Sequence, residues 1–205
     1  MNAITSLTVR NLTCIRGERV LFRDLDLRAT AGQVLAIEGP NGVGKTSLLR
    51  MIAGFMAPAA GKIVLACDRE ISDPGERGKQ VGWLGHHDGA KPQLTPSEVL
   101  VFFAQLYGCS ADIAVALADA GLARCAELPC QYLSAGQKKR LALARLKLSG
   151  RALWLLDEPL AALDTGGKKF AADLIAAHCA SGGIALAATH EPLGITCERL
   201  TLGGA

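Results

Sequence analysis

The chain has 205 residues, 50% hydrophobic and only 4% aromatic, which suits one well-buried α/β domain better than a small β-sandwich. The formal net charge of +3 is weak. The densest basic run, Lys138-Lys139-Arg140, reads as a solvated helix face, so nucleic acid is not an expected partner.

Thr8–Leu12 and Val20–Leu27 alternate apolar and polar residues and predict antiparallel strands. The apolar run Gln33–Ile37 predicts a buried strand, and Ser47–Ala53 a helix closed by Gly54. Lys62–Leu65 and Val81–Leu84 predict further strands. Thr95-Pro96-Ser97-Glu98 has the form of a capping box, and the helix it opens should run to Tyr107 and stop at Gly108. Ala111–Ala120 and Ser134–Leu148 predict two more helices. Ala152–Leu156 then predicts a buried strand, Lys168–Ala180 a helix, Ile184–Ala188 a strand and Arg199–Leu202 a short last one. The alternation implies one domain over 1–205. A mostly parallel sheet makes a core of about 1–90 and 150–205, and a helical lobe of about 90–150 is inserted in it.

Between the third predicted strand and the first predicted helix stands Gly39-Pro40-Asn41-Gly42-Val43-Gly44-Lys45-Thr46, a full match to GxxxxGK[ST] in the required context. Triphosphate is a dense cluster of negative charge. Glycines let backbone N–H groups approach it, and the start of a helix adds a favourable dipole. Lys45 is expected to reach the β- and γ-phosphates and Thr46 to ligate Mg²⁺; with Ser47 these residues form the candidate ATP-binding set. The apolar strand Leu153-Trp154-Leu155-Leu156 ends in Asp157-Glu158. Consecutive strand residues point to opposite sides, so the two carboxylates are expected to differ in role. Asp157 would support Mg²⁺, and Glu158 would polarise or deprotonate the attacking water.

Leu133-Ser134-Ala135-Gly136-Gln137 reads locally as a capping box opening a helix. It also closely resembles the ABC signature, usually LSGGQ, with Ala135 in place of the first Gly. Phosphate loop, signature, acidic strand, Ala161-Ala162-Leu163-Asp164 and Thr189-His190 follow one another in the order that ABC ATPases use. The resemblance spans nearly the whole chain. It implies the ABC ATPase fold, with N-terminal antiparallel strands, a phosphate-loop core and a helical insertion lobe. It implies a head-to-tail dimer with a second copy, in which Ser134, Gly136 and Gln137 meet the partner's nucleotide. It gives His190 the γ-phosphate and the attacking water, and places Asp164 in the loop linking the two sites.

Two positions depart from that pattern. His86 stands where the family has a Gln that senses Mg²⁺, and a neutral imidazole can also bind metal. No aromatic residue precedes the second strand to stack on adenine. Arg16 is there instead, either stacking its planar guanidinium on the base or standing in solvent.

Trp83-Leu84-Gly85-His86-His87-Asp88-Gly89-Ala90-Lys91, with Leu94-Thr95 after it, resembles the ATP-binding subunits of the bacterial cytochrome c maturation system. That resemblance implies integral membrane partners, an ATPase coupled to heme export or to release of a heme-loaded chaperone, and a peripheral location on the cytoplasmic face of the inner membrane. The alternatives are a subunit of another ABC transporter, or an ATP-gated scaffold with little turnover. Three features accord with a chain that docks to a membrane rather than crossing it. Met1–Arg10 lacks an apolar signal core, and the most apolar stretch, 174–189, is broken by His178 and Ser181-Gly182-Gly183. The seven cysteines are odd in number and form no CxxC pair, which argues against a disulfide framework or zinc site and fits a reducing cytosol.

Overall fold

The structure is a computed structural model that describes residues 4–85 and 89–203. In chain order its elements are β1 (Ser6–Arg16), β2 (Arg19–Thr30), β3 (Val34–Glu38), α1 (Lys45–Ile52), β4 (Ala60–Ala66), β5 (Glu70–Ile71), α2 (Pro74–Gly78) and β6 (Val81–Leu84). They continue with α3 (Pro96–Tyr107), α4 (Ile113–Asp119), α5 (Ala135–Leu148), β7 (Leu153–Asp157), α6 (Thr165–Ala180), β8 (Ile184–Ala188) and β9 (Glu198–Thr201). Among the described residues the strands form an antiparallel sheet in the order β2-β1-β4-β5 and a parallel sheet in the order β6-β7-β8-β3-β9.

Local chemistry accounts for most boundaries. Thr95 and Glu98 make both reciprocal bonds of the capping box, and Gly108 ends α3 in the left-handed conformation. Asp112 caps α4 by accepting from the N–H groups of Ala114 and Val115. The hairpin strands run longer than their alternation indicates. Arg10 and Asn11 both face solvent, the register shifts between Val9 and Leu12, and alternation resumes at Leu12 and Cys14. α6 begins one turn before Lys168, because the Asp164 carboxylate caps the Gly167 N–H at 2.7 Å and carries the helix over the Gly166-Gly167 pair.

The strand period of two divides two apolar cores, and a third is built from helices. Leu153 and Leu155 of β7, with Ile184 and Leu186 of β8, face α1 and the inner face of the antiparallel sheet. The intervening Trp154 and Leu156, with Ala185 and Ala187, face α5 and α6. The third core joins α3 and α4 to α5 through Val99, Leu100, Leu117, Leu141 and Ala144. α5 thus belongs to two cores: Ala142, Leu143 and Leu146 meet the sheet while Leu141, Ala144 and Leu148 meet α3 and α4. No helix of the described residues is long and apolar enough to cross a membrane, and all seven cysteines are free thiols.

Arg77, on the short helix α2, is only 4% exposed. Its guanidinium donates to the carbonyls of Met51 (3.2 Å) and Ile52 (3.3 Å) at the end of α1, to Ile63 of β4 (3.4 Å) and to Ser72. These carbonyls stand at the negative dipole end of α1, which favours a cation, and Met51 O also accepts from Gly54 N at 3.1 Å. Burial pushes the guanidinium's pKa down, and the Asp73 carboxylate opposes the shift. Arg77→Ala removes these donors, leaves Met51 O with the Gly54 N–H alone and opens a void, at a cost of about 3 kcal/mol in urea-unfolding free energy. Arg77→Lys should recover only part of this, since an ammonium has three donors and no fork. A loss under about 1 kcal/mol for the alanine variant would show that water serves the carbonyls equally well.

His178 stacks on Trp154 with ring centroids 3.8 Å apart and planes 3° apart, and its Nε2 lies 3.3 Å from the Ile184 carbonyl. Burial pushes its pKa below the ordinary 6.5, against the opposing pull of the Ile184 and Ala152 carbonyls. The folded chain therefore holds His178 neutral where the unfolded chain has begun to take up a proton. This contribution to stability is complete above pH 6.5 and is lost as the pH falls below it, at no more than about 1.4 kcal/mol per pH unit. Replacing His178 with Gln should flatten the stability profile below pH 6.5; an unchanged slope would assign it to other groups.

Candidate functional site

β3, β8 and β7 are neighbours, and their register pairs Ile37 with Ala188 and Ala188 with Asp157. The three strands therefore end level, and the segments leaving their carboxyl ends meet in one crevice, where open parallel sheets bind ligands. The segment after β3 is the loop 39–44, the one after β7 begins at Glu158, and the one after β8 carries Thr189 and His190.

The loop turns into α1 at Gly44, which serves as N-cap with φ 111° and no side-chain cap bond. The first N–H groups of α1 are thus left for an anion. A Cβ at Gly44 would stand 3.0 Å from the Phe22 ring, and one at Gly39 only 2.5 Å from the Leu202 carbonyl, so the loop lies directly on β2 and the end of β9. Lys45 is 7% exposed; its Nζ donates to the carbonyls of Gly39 (2.7 Å) and Pro40 (3.2 Å) and lies 3.3 Å from His190 Nε2. The Val43 side chain, 5% exposed, is packed in the core, so this residue offers the loop only its backbone.

Thr46 Oγ1 donates to the Asp157 carboxylate, at 2.9 and 3.1 Å from its two oxygens. Asp157 is 6% exposed. A buried carboxylate beside a hydroxyl, opening on a phosphate loop, is an oxygen donor set that fits Mg²⁺. Glu158 lies one residue beyond β7 in the left-handed conformation, φ 50°, held by its N–H donating to Ala188 O at 2.9 Å. The expectation that the two acids point to opposite sides assumed a continuing strand. The strand ends at Asp157, and the positive φ of Glu158 turns its side chain into the same cavity. The roles still separate by contact, since Asp157 meets Thr46 while Glu158 Oε1 lies 3.2 Å from His190 Nε2. His190 is set by Thr189, whose N–H donates to Ile37 O and whose hydroxyl closes the turn onto Glu191. Glu191 is tied in turn to Lys168 of α6. The single atom His190 Nε2 faces both Lys45 and Glu158, so its tautomer decides whether it accepts from the ammonium or donates to the carboxylate.

These groups line one cavity of about 580 Å³. Asn41, Gly42, Gly44, Lys45, Thr46, Ser47, Asp157, Glu158, His190 and Arg16 all contribute, whereas Gly39, Pro40 and Val43 of the loop do not line it. Leu21, Arg50 and Ala161 also line it and were not expected. Arg50 was detectable: it lies four residues after Thr46, on the same helix face. His86 lies outside the described residues.

Ser134, Gly136 and Gln137 do not reach this cavity. They line a second one of about 580 Å³ with Arg140, Ala162 and Asp164. Ser134 and Gln137 make the reciprocal capping box of α5, with Gln137 Oε1 accepting from Ser134 N at 2.9 Å and Ser134 Oγ accepting from Gln137 N at 3.2 Å. The Gln137 side chain is therefore committed to the helix start. Arg140 pairs with Asp164, joining α5 to the start of α6; the Gly167 N–H first and the guanidinium second hold the Asp164 carboxyl below its usual range.

Residues 22–161 match the ABC transporter family. The chain is 47% identical to the cytochrome c biogenesis ATP-binding export protein CcmA of Rhodopseudomonas palustris strain HaA2, over 97% of this chain and 98% of that one. It is 49% identical to the protein of the same description from Nitrobacter winogradskyi, with the same coverage. Among solved structures it resembles a putative ABC transporter ATP-binding protein from Pyrococcus furiosus, with a TM-score of 0.83 and 23% identity over 96% of this chain and 97% of that one. This last likeness concerns the fold.

The geometry of the loop makes Gly44→Ala informative. A side chain there meets the Phe22 ring and a backbone conformation that costs about 1–3 kcal/mol. ATP affinity measured by titration calorimetry should fall at least about tenfold, since the N–H groups of α1 shift from the phosphates. Undiminished affinity would mean that the loop conformation does not govern binding.

Proposed function

This chain belongs to the ABC transporter family, among the cytochrome c biogenesis ATP-binding export proteins, and from that premise we propose that it hydrolyses ATP to energise a membrane complex that exports heme or releases a heme-loaded chaperone. The carrying observation is one cavity in which the Thr46–Asp157 pair and the line Lys45–His190–Glu158 stand together. The open N–H groups of α1 and the Lys45 ammonium take the phosphates. Thr46 and Asp157 would hold Mg²⁺, which would supply charge neutralisation for the phosphates. Glu158 accepts the proton of the attacking water as its oxygen bonds to the γ-phosphorus and the bond to the bridging oxygen breaks, leaving ADP and phosphate. His190 orients that water and contacts the γ-phosphate.

Two copies act head to tail at the cytoplasmic face of the inner membrane. Within one chain the signature residues line a cavity separate from the phosphate loop, which supports a reading in which a second copy brings the two together. α5 presents its capped N-terminus at Ser134 there, a place suited to an anion. On α3, Val101, Phe102 and Leu106 are 41%, 55% and 63% exposed, an apolar face that suits an integral membrane partner.

Glu158→Gln removes the proton acceptor but keeps shape and hydrogen bonding. Its kcat in the assembled complex should fall about 10²–10⁴-fold with ATP binding retained, and cells carrying it should lack covalently heme-stained c-type cytochromes. Normal cytochromes with turnover abolished would leave the protein a scaffold in that process; full ATPase activity would remove Glu158 from the mechanism.

A further inference from the structure

The turn at the tip of the phosphate loop leaves one reactive pair in the open. Val43 N donates to Pro40 O at 3.4 Å, which makes Asn41 and Gly42 the two central residues of the turn, Gly42 with φ 78°. That bond is long for its kind, and Pro40 O is held separately by Lys45 Nζ at 3.2 Å. Both central residues are exposed, and both line the nucleotide cavity. Among the described residues neither the Asn41 carboxamide nor the Gly42 N–H has a hydrogen-bond partner. A Cβ at Gly42 would meet nothing within 4 Å, so no neighbouring atom crowds this amide.

An asparagine followed by glycine carries its own electrophile and nucleophile. A peptide nitrogen is a poor nucleophile because resonance ties up its lone pair. It attacks only once it has lost its proton and stands against the side-chain carbonyl carbon. Glycine, with no Cβ, allows that approach more readily than any other residue. At Asn41 the Gly42 nitrogen gives its proton to solvent hydroxide and bonds to Cγ. The bond from Cγ to Nδ2 breaks, and ammonia leaves with a proton from water. A second water then opens the five-membered succinimide at either of its carbonyls. The product is aspartate at position 41, or isoaspartate with the main chain running through the side chain. The net change consumes one water and releases one ammonia, and nothing is oxidised or reduced.

We infer that Asn41 is a site of spontaneous deamidation and that bound nucleotide protects it. The protective half rests on the reading of the cavity as a nucleotide site. The N–H groups of the loop donate to the phosphates, and a Gly42 N–H held by a phosphate oxygen keeps its proton and its place. The same group serves as phosphate donor or as nucleophile, never both at once. Conversion puts a carboxylate into the wall that receives a triphosphate, and like charges repel. Isoaspartate also lengthens the loop backbone by one methylene. A chain that stands without nucleotide is therefore withdrawn from ATP binding, while one in turnover is spared.

The test incubates the full chain, assembled with its membrane partners, in water enriched in heavy oxygen, with and without Mg²⁺ and a non-hydrolysable ATP analogue. Peptide mass spectrometry reads residue 41, and titration calorimetry reads affinity for the analogue. Without nucleotide, heavy oxygen should enter residue 41 as the acid. The fraction of chains that bind the analogue should fall in step, the acid form binding at least about tenfold more weakly. With nucleotide present the conversion should slow at least about tenfold. Asn41→Ser has no amide to lose and should keep its own starting affinity through the same incubation. An Asn41 that stays an amide without nucleotide overturns the inference. So does conversion at the same rate with nucleotide bound, and so does a loss of affinity in Asn41→Ser at the wild-type pace. Fresh wild type that fails to bind the analogue overturns the nucleotide reading and the protection with it, and labelling of residue 41 decides the deamidation independently.

Discussion

Everything in the site depends on three parallel strands ending at one level. The ladder sets Ile37, Ala188 and Asp157 side by side, so three segments far apart in sequence leave the sheet together. Lys45, His190 and the two carboxylates then need only short reaches to meet. A one-residue slip of β7 would exchange its two faces, sending Trp154 towards α1 and Leu155 towards α6. The apolar cores thus hold the chemistry in register, because any slip exposes or misplaces a buried side chain.

The phosphate loop shows the same dependence at shorter range. Its conformation is possible because glycines stand where β2 and β9 press closest, and it stays open because no side chain caps α1. Lys45 is nearly inaccessible, yet its ammonium has carbonyl partners from the loop itself, so the cation is solvated by the backbone it serves. The far end of α1 is closed by Arg77, which means both ends of one short helix are governed by cationic side chains.

Much of this was legible in the sequence because the signals were local. The capping boxes at Thr95 and Ser134 formed as their residue types indicate, and apolar runs located the buried strands. What escaped was decided by tertiary context. A two-residue strand and a five-residue helix carry too little pattern to register, although Asp73-Pro74 is a helix-start signal. Nothing about a lone Arg77 announces that four carbonyls will converge on it. The left-handed turn at Glu158 overrode the strand period just where the carboxylate had to swing inward. Arg50 lies beyond the motif, which ends at Thr46, and Gly166-Gly167 masks in the sequence a start of α6 that the Asp164 cap sets in the fold. The separation of the signature from the phosphate loop within one chain is a matter of three dimensions and has no local signature at all.

α5 is one 14-residue helix shared by two cores, and it hands over to β7 through a turn at residues 149–152. At 1.5 Å per residue it spans about 21 Å. One end is the signature start at Ser134, and the strand beyond the other leads to Asp157. The helix and strand therefore act as a ruler. The gap between the surface one copy shows to its partner's nucleotide and the surface that grips its own is set by a count of residues. Lengthening α5 by a single residue would rotate its apolar faces by roughly 100°, pulling Leu143 and Leu141 out of their separate cores together. The spacing is thus protected by packing on both sides, and the chain can change the chemistry at either end without recalibrating the distance between them.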